Sequence, residues 1–129
     1  RGDLARDGYF GRERDEDIRR RYVEDELKKM GFKEKQIGFT YIVDAVLILM
    51  DYSGTPPRVT SEIYPLIAKE HNTSKEGVEH SIRNAIEAAF RNMNPAQLNY
   101  YYPYQYDKKI GRPTNSDFLI NFAKLIRLC

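Results

Sequence analysis

The sequence predicts an all-α protein, a compact bundle of about five to six helices. Three observations carry that prediction. Apolar residues recur at helical spacing in several separate stretches, most of these stretches open or close on a recognisable capping residue, and Gly and Pro clusters divide them. At 129 residues the chain falls within the ~100 to 200 that one domain usually occupies, so it reads as a single domain with a modest core.

Arg1 to Arg12 are polar, hold three of the eight glycines and show no period. They read as a linker or flexible terminus, which leaves residues 13–129 as the helical domain. From Glu13 to Met30, the residues Ile18, Tyr22, Val23, Leu27 and Met30 form an inner stripe, and Gly31 supplies the stop. The opposite side, with Arg19, Arg20, Arg21, Glu24, Asp25, Lys28 and Lys29, is a solvated face of mixed charge. Phe39 to Tyr52 is the most apolar stretch and would also suit a buried strand. Its length favours a helix, and a helix apolar all round belongs at the centre of the fold, ended here by Ser53-Gly54-Thr55-Pro56-Pro57.

Two helices with a short connection follow. Thr60 is the candidate cap of the first, with Ile63, Leu66 and Ile67 facing inward and Pro65 forcing a kink or a late start. After Glu70, His71, Asn72 and Thr73, the run Thr73-Ser74-Lys75-Glu76 reads as a capping box, in which the Thr hydroxyl and the Glu carboxylate each satisfy an orphan amide. It opens a helix over 74–92 whose inner stripe is Val78, Ile82, Ala85, Ile86, Ala89 and Phe90, about 28 Å long at 1.5 Å per residue. Residues 93–113 carry Tyr100, Tyr101, Tyr102, Tyr104 and Tyr106 among three prolines, and read as a long loop with one short helix at 95–100. Thr114-Asn115-Ser116-Asp117 starts a last helix that buries Phe118, Leu119, Phe122, Ala123, Leu125 and Ile126.

Composition removes whole classes of function. The only Cys is the last residue, Cys129, so no internal disulfide forms and a secreted disulfide scaffold is excluded. The longest apolar run, Ala45 to Met50, lies between two aspartates and falls far short of the ~18 residues of a membrane helix. A cytoplasmic chain with no membrane partner is expected. Its opening, Arg1-Gly2-Asp3, has no Met and no apolar leader, and reads as the cut end of something longer. No glycine-rich phosphate loop, nucleophile elbow, CxxC pair or His-Glu-x-x-His occurs, and the two histidines, His71 and His80, are nine apart. No catalytic residue, metal or cofactor is expected.

Charge is nearly balanced, with 21 Lys+Arg against 19 Asp+Glu. Residues 58–92 hold five basic and five acidic groups, and 93–129 hold five and two. A positive surface for nucleic acid must therefore come from folding, which gathers cations from separate segments. The paired helices fit a helix-turn-helix, in which the second helix enters the major groove. Away from its apolar stripe stand Lys75, Glu76, Glu79, His80, Arg83, Asn84 and Glu87. Arg donates twice to guanine, Asn pairs with adenine and Glu accepts from cytosine, so Arg83, Asn84 and Glu79 suit a mixed site. A carboxylate near phosphates is repelled unless it finds a donor, so Glu79 would also reject wrong sites.

The stretch VTSEIYPLIAKEHNTSKEGVEHSIRNAIEAAF at Val59 to Phe90, with RPTNSDFL at Arg112 to Leu119, closely resembles the effector domain of the stage zero sporulation protein A family, response regulators that start endospore formation. The likeness rests on Tyr64-Pro65, Ile67-Ala68-Lys69, Asn72-Thr73, Val78-Glu79, Ile82-Arg83, Ala85-Ile86-Glu87 and Pro113-Thr114-Asn115-Ser116, and extends more weakly back through Gly38 to Val46. The resemblance implies an all-α fold with a helix-turn-helix that binds double-stranded DNA, often tandem copies of a short box related to TGTCGAA. It places Glu79 and Arg83 where the family faces bases; Lys75, His80, Asn84, Glu76 and Thr73 are the further candidate DNA contacts on the same helix and turn.

Three positions depart: Gly77, His80 and Asn84 stand where family members have Arg, Arg and His. Fewer cations imply weaker phosphate contact and a shifted box preference. The family's loop contacts the sigma subunit of RNA polymerase; here that stretch is rich in tyrosine, and Tyr101 and Tyr104 are the candidate partner residues, against the reading that they pack on the protein's own helices. The resemblance also implies a two-component system with a preceding receiver domain, a nucleoid location and a head-to-tail dimer on DNA. The competing reading is a helical protein-interaction module that keeps the fold and has lost base readout.

Overall fold

The computed structural model describes residues 2–127, with side chains from Asp15 onward. It contains α1 (Gly2–Lys29), α2 (Ile37–Met50), a π-helical segment (Val59–Ile63), α3 (Tyr64–Glu70), α4 (Lys75–Asn92), α5 (Pro95–Tyr101) and α6 (Asn115–Arg127). Among the described residues there is no strand, and the all-α bundle expected from the sequence is the fold observed. Cys129 lies outside the described residues.

The centre is α2. It packs chiefly on α4 and α6, and also on α1 and α3. Eight of its residues are buried, from Gly38 and Phe39 through Val46 to Leu49, as a helix apolar on most sides must arrange. Around it lie Val23 and Leu27 of α1 with Met30 and Phe32 just beyond that helix, and α6 adds Phe118, Leu119, Phe122, Ala123 and Ile126. The glycine stop after α1 is also seen, with Gly31 at φ 94°.

Several expectations need correction. The first helix begins at Gly2, not Glu13; apolar period reports a buried stripe, and a helix can extend past the point where that stripe ends. The side chains that would show whether residues 1–12 act as a linker lie outside the described residues. Ile18 and Tyr22, assigned to the inner stripe, are exposed, whereas Val23, Leu27 and Met30 are buried as expected. Thr60 caps nothing. Arg58 precedes a π-helical segment there, and the α-helix starts late at Tyr64 with Pro65 in its first turn, where the missing amide costs no bond. That widened turn rotates the inner face, so Tyr64 is buried and Leu66, expected inside, is 57% exposed.

The cap of α4 is Ser74, whose Oγ accepts from the Gly77 amide at 3.0 Å. With Ser74 as cap, Gly77 is the third helical residue and has no side chain to reach back, so the expected Thr73/Glu76 box does not form. A true box appears at α5, where Asn94 and Gln97 exchange side-chain bonds with each other's amides.

Candidate nucleic-acid interface

The connection from α3 to α4 is fixed by backbone chemistry. Asn72 takes a left-handed φ of 54°, a conformation Asn adopts with little penalty. The amide of Thr73 then reaches the Ala68 carbonyl at 2.9 Å and that of Asn72 the Lys69 carbonyl at 3.4 Å, the paired bonds of a Schellman ending. A four-residue turn results, with α4 leaving at a fixed angle. Behind it, Asp44 of α2 accepts from Arg20 of α1 and bonds His71 Nε2 at 2.7 Å, while the His71 ring meets Tyr41 edge-on at 5.1 Å. Two helices, α1 and α2, are thus tied to the turn by one largely buried carboxylate.

The inner stripe of α4 is the one read from the sequence: Val78, Ile82, Ala85, Ile86, Ala89 and Phe90 are all buried. Spacings of four, three, four and four put Glu76, His80, Arg83, Glu87 and Arg91 together on the opposite side. Lys75, Glu76, His80 and Asn84 are exposed, and so is Thr73 in the turn; Glu79 and Arg83 are half-buried at the flank. The structure brings three of these together. Arg83 Nη1 donates to Glu79 Oε1 at 3.0 Å and Nη2 approaches His80 Nδ1 at 2.7 Å. An arginine that donates there meets a neutral imidazole whose Nδ1 accepts. Lys75, Asn84 and Thr73 stand apart from that trio.

Two residues outside the candidate DNA contacts named from the sequence place this helix. Asn115, at the start of α6, is buried and its Nδ2 donates to the Glu79 carbonyl at 3.0 Å. Beside it burial pushes the Tyr64 phenol above its ordinary value, the Asn115 amide partly offsetting this. The available signal was a polar residue at the head of an apolar stripe that runs through Phe118, Phe122 and Ile126. The second is Arg112, whose Nη2 pairs with Glu87 Oε1 at 3.1 Å.

The tyrosines divide. Tyr102 is buried at 2% exposure, stacks on Phe118 and meets Phe90 edge-on, and its hydroxyl accepts from Asn121 at 3.0 Å. Tyr101 and Tyr104, the candidates for a partner surface, are half-buried and pack on the core; Tyr104 does so partly through Tyr102. Tyr100 is 76% exposed.

Among the described residues, no group of three or more His, Cys, Asp or Glu could hold a metal, and no helix is long and apolar enough to cross a membrane. The family described as "sporulation initiation factor Spo0A C terminal" has a model that matches residues 23–126 of the chain.

Proposed function

The chain belongs to the family of Spo0A C-terminal domains, DNA-binding effector domains of sporulation response regulators, and from that premise we propose that it reads duplex DNA with helix 74–92 in the major groove. The observation that carries the reading is the Glu79–Arg83–His80 trio on a helix whose other face is wholly committed to the core. A bundle needs only the buried stripe. Arg83 reads a guanine through two donors, Glu79 accepts from a cytosine amine, and Asn84 and His80 add contacts from the exposed side. In the free protein Glu79 and His80 hold the guanidinium, so less side-chain entropy is lost on binding. Lys75, Thr73 and the Glu76-bearing first turn meet the phosphates, where the α4 N-terminus adds favourable partial charge and Glu76 opposes it.

Finer assignments rest on this reading. Tandem boxes would seat two copies head to tail, and the aromatic surface formed by Tyr100 with the outer edges of Tyr101 and Tyr104 is the candidate contact for a polymerase sigma subunit. Residues 1–12 would lead toward a receiver domain.

The test is a fluorescence-anisotropy titration of a duplex with two tandem boxes and of a scrambled duplex, across a salt series, with Arg83→Ala in parallel. Loss of a bidentate base contact should cost about 1–3 kcal/mol on the box and almost nothing on the scrambled duplex. Equal affinity of the wild type for both duplexes at every salt concentration overturns base readout and favours the interaction-module reading.

A further inference from the structure

We propose that the loop at 107–112, with Lys108, Lys109 and Arg112, is a second DNA-contacting element that grips the phosphate backbone beside the groove occupied by α4; the proposal rests on the reading above. Arg112 locates it. Its bond to Glu87 fixes the loop against α4 one helical turn beyond Arg83, about 6 Å along the axis at 1.5 Å per residue. A B-form major groove is about 12 Å wide, so a helix with Arg83 at the base edges has Glu87 and Arg91 near the groove rim, where the phosphates lie.

The charge there fits phosphate. Lys108, Lys109, Arg112 and Arg91 face two acids, Glu87 and Asp107, so the cluster is net positive although residues 58–92 are neutral. Arg112 neutralises Glu87, which would otherwise repel the backbone. Asp107 is turned to structural use: its carboxylate accepts from the Lys109 amide at 2.9 Å and its carbonyl from the Gly111 amide at 2.9 Å. This closes a tight turn, completed by Gly111 at φ 87°, that leaves Lys108 and Lys109 exposed at its tip. Lys108 Nζ lies 3.8 Å over the Tyr106 ring, and Tyr106 packs on Phe90 of α4, so the cation stands on a rigid base. The contact carries no sequence information; it sets affinity and the depth at which α4 sits.

The experiment is the same titration with Lys108→Gln/Lys109→Gln. Both side chains are exposed, so the variant should melt with the wild type. Counterion release gives a slope of about −0.9 in log K against log salt per phosphate contacted. The double variant is expected to flatten the slope by about one to two units and to weaken box and scrambled duplexes alike, roughly tenfold near 0.1 M salt. Arg83→Ala instead removes the preference and keeps most of the slope. A wild type that prefers the box, joined with an unchanged slope in the double variant, overturns the loop contact and leaves base readout standing. A wild type that binds neither duplex overturns both.

Discussion

Gly38 of α2 sits directly beneath Ser81 of α4: a Cβ at position 38 would overlap the Ser81 carbonyl and come within 3.1 Å of the Ala85 methyl. The central helix and the candidate recognition helix cross there at backbone contact. Gly38→Ala should therefore destabilise by about 1–3 kcal/mol, because the overlap outweighs the roughly 1 kcal/mol gained in helix propensity. Since the obstacle is backbone, relief requires α4 to move, and box preference should fall with stability. A denaturant midpoint equal to or above wild type would show that the crossing is looser than described.

The approach of two helices at a glycine is invisible to periodicity, which is why Gly38 entered the sequence reading only at the edge of a resemblance. What was legible was everything that local pattern controls: the stripe of α4, the central α2, the α6 face and the stop at Gly31. Errors arose where one residue of local chemistry shifted the frame. Ser74 caps in place of Thr73, and the π-helical segment before Tyr64 exchanges it with Leu66 as the inward residue. The pairs that fix the site, Asp44 with Arg20 and His71, or Arg112 with Glu87, join residues 24 to 27 positions apart on separate helices, turns and loops. No spacing rule reaches across such gaps.

Asp44 supports the helix-turn-helix from behind, and its removal should be felt there. The carboxylate is largely buried, at 15% exposure, and serves both Arg20 and His71. Asp44→Ala leaves two donors without their acceptor and is expected to cost about 1–3 kcal/mol in urea unfolding. Asp51→Ala is the contrast: its pair with Arg19 is long, at 3.4 Å, and open to water. It should change stability by less than about 0.5 kcal/mol. Equal losses in the two variants would remove the Asp44 cluster as a support of the turn.

Tyr102 gives the fold an alkaline limit. Burial raises its phenol above the ordinary 10.0, with the Asn121 bond pulling back in part, and burial raises Tyr64 likewise. In the unfolded chain both ionise near 10, whereas the folded protein retains the protons. Their contribution to stability is full below that pH and is lost as pH climbs through the raised folded values. Tyr102→Phe keeps the stack on Phe118 but takes the acceptor from half-buried Asn121. At pH 7 it should lower stability by about 0.5–1 kcal/mol. Above pH 10 its stability should decline less steeply than that of the wild type, so the two curves converge, while the raised phenol of Tyr64 stays in place. Chemical unfolding at pH steps from 7 to 11 measures this, and parallel curves throughout would mean that the Tyr102 hydroxyl is not protected in the folded state.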